Sequence, residues 1–165
     1  MSIGVLIIEY QPLTRLGVRA VIEREPDILF AGETDNTADG FVKFRQLKPD
    51  VTILGLRFPD SCSIDDLDDY FAEDPKAKII MLAEHAGDAE ISKALKKGAA
   101  GYICKDVSPD DLLKAIRTVA AGRKYIPDEI AQILSENLGR EELTPSESTV
   151  LRMIAGFETP TTGKV

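Results

Sequence analysis

Five short apolar runs alternate with amphipathic stretches along this chain, and this alternation constrains the fold more than any other feature. Near-continuous apolar composition is typical of strands that are buried on both faces. The stretches between the runs carry apolar residues at helical spacing. Strands that alternate with helices predict an α/β protein with a parallel sheet flanked by helices. The predicted strands are Gly4–Ile8, Ile28–Glu33, Val51–Leu54, Lys78–Leu82 and Gly101–Cys104.

The helices between these strands have well-marked starts and apolar stripes. Pro12 and Pro109 stand where proline suits a first helical turn, and Ser108 precedes Pro109 as a predicted N-cap. The predicted helices are Pro12–Glu25, Thr37–Leu47, Ile64–Ala72, Asp88–Lys97 and Pro109–Gly122. One broad core-facing stripe is expected in the first helix and another in the fifth: Leu13, Leu16, Val18, Ala20, Val21 and Ile22, and Leu112, Leu113, Ile116, Val119 and Ala120.

The helical pattern changes after Gly122, where Tyr125–Asp128 interrupts it. A sixth helix with one apolar face follows, and Gly139–Glu142 then forms a linker. Beyond the linker, Thr144 and Glu147 occupy the reciprocal positions of a capping box, which predicts the start of one further helix. The apolar face of the sixth helix consists of Ile130, Ile133, Leu134 and Leu138.

The charge balance of the chain argues against attraction to polyanions. It has 20 Lys and Arg against 28 Asp and Glu, a net charge of -8, which opposes long-range attraction to nucleic acid or anionic membranes. Its apolar runs are too short to span a bilayer, and no export signal is visible, so we expect a cytoplasmic protein. Cys62 and Cys104 match neither a zinc-ligand spacing nor a disulfide framework, and they predict two reduced thiols.

Specific motifs resemble the receiver domains of NarL/FixJ response regulators. They are ILGLRFPD at Ile53–Asp60, AEH at Ala83–His85 and GAAGYICKD at Gly98–Asp106. The first strand and helix at Ile7–Ile28 are also similar to that family, and LTPSESTVLRMIAGF at Leu143–Phe157 resembles the opening of its LuxR-type helix-turn-helix. The resemblance implies a flavodoxin-like (CheY-like), doubly wound sheet of five parallel strands in the order 2-1-3-4-5, with a C-terminal helical extension.

Receivers of this family take a phosphoryl group on an aspartate at the end of the third strand, and this sequence departs from that pattern. Gly55 stands at the nucleophile position and has no side chain to phosphorylate. Glu9 keeps one acid of the pair that holds Mg²⁺, but Tyr10 replaces the other. Ala83 replaces the hydroxyl that contacts the transferred group. We therefore expect a degenerate phosphoacceptor pocket with no metal, no cofactor and no catalytic residues.

Two residues of the pocket still match the family. Lys105 stands at the position of its lysine, and Tyr102 at its aromatic switch position. Lys105 is interpreted as a remnant held by packing and by Glu9, through an ion pair or a water-bridged contact, with anion capture as the alternative. Tyr102 is interpreted as a half-buried aromatic at a strand end, with a moving switch as the alternative.

The resemblance divides the chain into a receiver, residues 1–124, a helix and linker, residues 125–142, and residues 143–165. The last part is interpreted as the first helix of an incomplete helix-turn-helix and a tail. Residues 140–165 contain three basic and four acidic residues, whereas phosphate contacts need a basic surface. We expect DNA binding only through a complete output domain, which this chain lacks.

Two functions remain open at this point, and neither is an enzyme. One is the receiver module of a two-component-type transcription regulator that acts independently of phosphorylation, through dimerisation or protein contacts. The other is a stand-alone pseudo-receiver that modulates a protein partner without binding DNA. In both cases a homodimer through the fifth helix or the C-terminal helices is expected, with docking of those helices on their own receiver as the alternative.

Overall fold

The computed structural model describes residues 2–85 and 88–136, and their fold is the predicted α/β sandwich. All neighbouring strands of the main sheet are parallel, and each ends within one residue of its predicted bounds. The strands are β1 (Ile3–Ile8), β2 (Ile28–Thr34), β3 (Val51–Gly55), β4 (Arg57–Phe58), β5 (Ser61–Cys62), β6 (Ile79–Ala83) and β7 (Gly101–Cys104). The main sheet has the order β2-β1-β3-β6-β7, which confirms the predicted topology.

Two features between β3 and β6 are not in the sequence prediction. The short strands β4 and β5 form an antiparallel hairpin directly after Gly55. The third helix begins with a 3-10 turn, Ser63–Asp66, and continues as an α-helix only from Leu67, so the predicted Ile64–Ala72 helix is wrong in its first turn. The helices are α1 (Pro12–Glu23), α2 (Thr37–Leu47), α3 (Leu67–Glu73), α4 (Asp88–Lys97), α5 (Pro109–Ala120) and α6 (Asp128–Glu136).

The core consists of two apolar layers, one on each face of the sheet. Successive side chains of a strand point to opposite faces. Leu6 and Ile8 of β1 accordingly pack in the layer that contains residues of α2, α3, α4 and α6, whereas Val5 and Ile7 pack in the layer of α1 and α5. This double coverage explains why the strands read as continuous apolar runs.

Helix α1 corrects the prediction of one broad core-facing stripe. Val18 and Ile22 are buried against the sheet, but the side chains of Leu13, Leu16 and Ala20 face solvent. Leu13 is 83% exposed and Leu16 is 57% exposed. Periodicity alone detected a wide apolar arc on this helix, and the sheet covers only part of it. Helix α5 fits its prediction, since Leu112, Leu113, Ile116 and Val119 are all buried.

The segment after α5 packs back on the receiver. The backbone N–H of Tyr125 donates to the carbonyl of Ala100, and the carbonyl of Tyr125 accepts from the N–H of Tyr102, so Tyr125 covers the outer edge of β7. Ile130 of α6 is fully buried in the layer that contains α4, and Leu134 packs against that layer. Leu138, the linker and the helix-turn-helix predicted beyond it lie outside the described residues. Within the described ranges, no helix is long and apolar enough to cross a membrane.

Candidate functional site

The carboxyl ends of β1, β3 and β7 bring three of the predicted site residues together. Glu9 follows β1, Gly55 ends β3, and Lys105 follows β7. The predicted ion pair is present, because Lys105 Nζ lies 3.1 Å from Glu9 Oε2. The Glu9 side chain is fully buried and that of Lys105 is 13% exposed, so water screens this pair weakly.

The carboxylate of Glu9 also fixes the start of α1. Glu9 Oε2 accepts a hydrogen bond of 2.7 Å from the backbone N–H of Gln11, the residue that caps α1. A carboxylate at this place interacts favourably with the positive end of the helix dipole. The backbone carbonyl of Glu9 accepts from Arg15 Nη1 at 2.8 Å. The loop between β1 and α1 is therefore held from two sides.

The ammonium group of Lys105 is surrounded by oxygen atoms. Besides Glu9, it donates to Gln11 Oε1 at 2.8 Å and lies 3.7 Å from Glu84 Oε2. Gln11 Nε2 in turn donates to Glu84 Oε2 at 2.9 Å. This arrangement does not favour the alternative interpretation of Lys105 as an anion-capturing residue, because two carboxylates already lie within 4.0 Å of its ammonium group.

The space beside Gly55, where the family resemblance places an aspartate side chain, is filled by the Glu9 carboxylate. A Cβ atom on Gly55 would overlap Glu9 Oε1, and it would lie 3.3 Å from both Glu9 Cδ and the carbonyl oxygen of Ile8. Glu9 Oε1 is buried and has no hydrogen-bond partner within the described structure. The Glu9 carboxylate thus occupies the volume in which an acceptor side chain at position 55 would begin.

The backbone around Gly55 is fixed by a residue that the sequence analysis did not single out. The buried hydroxyl of Ser63 donates to the carbonyl of Gly55 at 2.6 Å, which ties the end of β3 to the 3-10 turn before α3. On the other side of the pocket, the carbonyl of Ala83 accepts from the N–H of Lys105 at 2.7 Å. Ala83 itself is buried and contributes only a methyl group.

The donor set does not fit the Mg²⁺ ion that the family resemblance implies. Mg²⁺ requires several oxygen ligands in near-octahedral geometry. Glu9 Oε2 is already engaged by the cation of Lys105 and by a backbone N–H. Tyr10 stands at the position of the second acid and is 47% exposed. In residues 2–85 and 88–136, no three His, Cys, Asp or Glu side chains form a group that could hold a metal ion.

Tyr102 is more deeply buried than the sequence predicted. Its side chain is fully buried rather than half-buried, in the same apolar layer as Ile130 of α6. Burial raises the pKa of Tyr102 to about 12, with smaller contributions from Cys104 and Cys62. The Tyr102 hydroxyl has no hydrogen-bond partner within the described residues. Burial also raises the pKa of the Cys104 thiol, which does not favour a reactive thiolate.

Among the described residues, this site is a connected polar network that is buried at Glu9 and exposed at Glu84. Gly55 offers no nucleophile, and Glu9, the carboxylate nearest to that position, is inaccessible to solvent. The other polar groups, Gln11, Glu84 and Lys105, contact one another, and Lys105 is the cation shared by Glu9 and Glu84. The geometry suits a fixed structural contact between β1, α1 and β7.

Comparison with known proteins identifies the family. The model of the response regulator receiver domain matches residues 5–117. The nitrate/nitrite response regulator protein NarL of Escherichia coli is 31% identical over 160 residues, which cover 92% of this chain and 74% of NarL.

Solved structures give the same result. A LuxR-family two-component response regulator from Aurantimonas sp. has a TM-score of 0.78 and 28% identity, covering 83% of this chain and 98% of that one. A structure of two RcsB dimers bound to two parallel DNAs has a TM-score of 0.77 and 26% identity, covering 94% and 78% of the two chains. The chain belongs to the response regulator receiver domain family, and its relatives are response regulators of the NarL/LuxR type.

Proposed function

We propose that this protein is a phosphorylation-independent receiver module of a NarL/LuxR-type transcription regulator, and that it is a binding module rather than an enzyme. The observation that carries this proposal is the position of Glu9. Its carboxylate fills the volume beside Gly55 and is paired with Lys105 at 3.1 Å. The pocket therefore has no acceptor side chain, and a side chain at position 55 would have to displace the Glu9 carboxylate.

The absence of a phosphorylation trigger restricts how such a module can act. A conformational change needs a ligand that distinguishes two states, and this pocket has no site for the transferred phosphoryl group. We propose that the module works through constitutive self-association. RcsB, a structural neighbour, forms dimers that are bound to DNA. For this chain, DNA contact would come through an output domain, and the receiver would supply the contact between two copies.

Intact mass after treatment with acetyl phosphate and Mg²⁺ tests this proposal. In a phosphorylatable receiver, an aspartate oxygen attacks phosphorus, the bond to acetate breaks, and acetate leaves. We expect no mass increase in this protein. An acid-labile gain of one phosphoryl group on any pocket residue would contradict the proposal.

The matched control restores the three groups that the pocket lacks, in the variant Tyr10→Asp/Gly55→Asp/Ala83→Thr. Circular dichroism checks that this variant folds, and a receiver that retains its aspartate shows that the reagent is active. A mass gain in the restored variant, together with none in the original chain, would trace the loss of phosphorylation to these three positions.

A further inference from the structure

The segment that follows α5 returns to the sheet and covers its outer edge. We call residues 123–136 the strap. Gly122, the residue before the strap, has a φ of 87°, a left-handed conformation that suits glycine at the end of a helix. The chain turns there, and Tyr125 then runs parallel to β7. The strap is therefore a separate element that is connected to α5 by a single turn.

Hydrogen bonds tie the first part of the strap to β7 and to the loop before it. The N–H of Tyr125 donates to the carbonyl of Ala100 at 3.0 Å, and the carbonyl of Tyr125 accepts from the N–H of Tyr102 at 3.3 Å. Lys124 Nζ donates to the carbonyl of Ala99 at 3.2 Å. The strap thus satisfies backbone groups at a sheet edge that are otherwise open to water or to another strand.

Apolar side chains of α6 hold the second part of the strap. Ile130 is fully buried, and Leu134 packs against the same apolar layer. Asp128 and Glu129, in the first turn of α6, are exposed. Segments with few buried apolar contacts open at a lower free energy than the strands of the core. This short helix therefore has the features of a segment that opens locally.

Tyr102 links the strap to the interior of the receiver. Its backbone N–H bonds the strap, and its side chain is fully buried in the apolar layer that also contains Ile130. The Tyr102 hydroxyl has no hydrogen-bond partner within the described residues, and burial of an unpartnered hydroxyl costs free energy. The surroundings of Tyr102 therefore keep it buried. Since β7 is an edge strand, the strap covers the flank that no further strand covers.

We propose that the strap is a conformational switch: its docking on β7 and α4 keeps Tyr102 buried, and its release exposes Tyr102 and the outer edge of β7. The chain continues beyond Glu136, so a binding event farther along the chain acts on α6 before it acts on any other described element. A partner that binds only the released strap shifts the receiver toward the open state. This regulation goes beyond the proposed function and does not require two copies to associate.

Hydrogen exchange of the unaltered chain tests whether the strap opens locally. The acceptor of the Tyr102 N–H belongs to the strap, whereas Ile53 lies in β3, at the centre of the sheet. After correction for intrinsic rates, the Tyr102 N–H should exchange at least about tenfold faster than the Ile53 N–H. Equal protection of the two groups would mean that the strap opens only when the whole receiver unfolds, and it would overturn the proposal.

Nitration by tetranitromethane tests whether the strap keeps Tyr102 buried, because this reagent modifies tyrosine side chains that reach solvent. In Ile130→Ala, which weakens docking of α6, Tyr102 should be nitrated at least about tenfold faster than in the unaltered chain. Tyr70 should stay protected, since its hydroxyl is buried in the same layer but α6 does not hold it. Peptide mapping by mass spectrometry assigns each nitro group, and the exposed Tyr10 shows that the reagent is active.

The variant Phe44→Leu is the crossed control. Phe44 packs edge to face against Tyr70, with ring centroids 4.9 Å apart, so this variant should speed nitration of Tyr70 and leave Tyr102 protected. If Ile130→Ala or Phe44→Leu exposes both tyrosines alike, the layer opens as one unit and the proposal fails. A Tyr102 that stays protected in Ile130→Ala would also overturn it.

Discussion

The two ends of the sheet each have a cluster of charged side chains, and the clusters differ in burial. At the carboxyl end, Lys105 pairs with Glu9, whose side chain is fully buried. At the amino end, Arg117 of α5 donates to Asp27 at 2.8 and 2.9 Å and to Glu25 at 2.7 Å. The Arg117 side chain is 41% exposed and that of Asp27 is 43% exposed. The cluster at the amino end has the shorter hydrogen bonds, whereas the pair at the carboxyl end is less exposed to solvent.

This comparison shows that hydrogen-bond geometry alone does not predict how much stability is lost when an ion pair is broken. An exposed pair contributes little, because water screens the charges and replaces the lost partner. A buried pair also gives little net stability when it forms, but breaking it is expensive because one charge is left without water or a partner. The pair of Glu9 and Lys105 should therefore be less tolerant of single substitutions than the cluster around Arg117.

The largest expected effect follows from Lys105→Met. The substitution leaves the buried Glu9 carboxylate with only the backbone N–H of Gln11 as a described donor. We expect the free energy of unfolding to fall by about 3–5 kcal/mol. Urea denaturation measures this value. A loss below about 1 kcal/mol would mean that the pocket admits water and resembles the exposed cluster.

A double-mutant cycle separates the pair from its surroundings. Glu9→Gln keeps the shape and an acceptor oxygen, so its cost should be smaller, about 1–3 kcal/mol. In Glu9→Gln/Lys105→Met neither charge remains stranded, and the combined loss should be less than the sum of the two single losses. Additive losses would show that Glu9 and Lys105 do not depend on each other.

A smaller effect is expected from Arg117→Met at the amino end of the sheet. Because this cluster is exposed, the free energy of unfolding should fall by about 0.2–1 kcal/mol, and added salt should reduce the difference further. Urea denaturation at low and high salt measures both. A loss as large as that of Lys105→Met would remove the contrast between the two clusters.

The pH dependence of the same cluster has a defined sign. The hydrogen bond from Arg117 holds the pKa of the Asp27 carboxyl below its ordinary value of 3.8. The stabilisation is therefore present above that value and is lost as the pH falls through the pKa of the folded state. Asp27→Asn should remove this part of the acid sensitivity, and an unchanged acid transition would count against the pairing.

The smallest effect at neutral pH is expected from Tyr102→Phe. The Tyr102 hydroxyl has no partner within the described residues, so its removal should change the free energy of unfolding by less than about 1 kcal/mol. At alkaline pH the effect grows. Burial raises the pKa of Tyr102 from 10.0 to about 12, so its neutral form stabilises the fold below pH 10, and this contribution is lost between pH 10 and 12.

Urea denaturation across the alkaline range measures this loss, and Tyr102→Phe should remove the part of it that comes from Tyr102. Tyr70→Phe is the matched comparison for Tyr102→Phe. The Tyr70 hydroxyl is also buried and has no hydrogen-bond partner among the described residues, and burial raises its pKa. If Tyr102→Phe left the alkaline transition unchanged, Tyr102 would have to reach solvent before it ionises. That result would favour the alternative interpretation of Tyr102 as a switch residue that changes position.

Strands and helix starts could be predicted because local signals determine them. Continuous apolar runs gave the five main strands to within one residue, and Ser108 with Pro109 marked the start of α5, where Ser108 accepts from the N–H of Asp111 at 3.1 Å. The family resemblance supplied the strand order, which the structure confirms. The hairpin of β4 and β5 was missed because two-residue strands have no periodicity to detect.

The contacts of the site were only partly predictable. Glu9 and Lys105 could be paired because both follow strands that end at the same edge of the sheet. The roles of Gln11 and Ser63 could not be predicted, since polar residues at helix starts usually face solvent and the side-chain contacts of these two depend on the folded chain. Leu13, Leu16 and Ala20 of α1 were wrongly assigned to the core, because the width of a hydrophobic arc does not tell which part of it meets the sheet.

The close contact between Glu9 and Gly55 also constrains how this pocket could change during evolution. Any residue other than glycine at position 55 has a Cβ atom that overlaps the Glu9 carboxylate. A single reversion to aspartate would therefore first encounter a steric clash and a second negative charge, before it could restore any chemistry. The overlapping atom is the end of a flexible side chain, so Glu9 would have to turn away from position 55, and from Lys105, before an aspartate there could react.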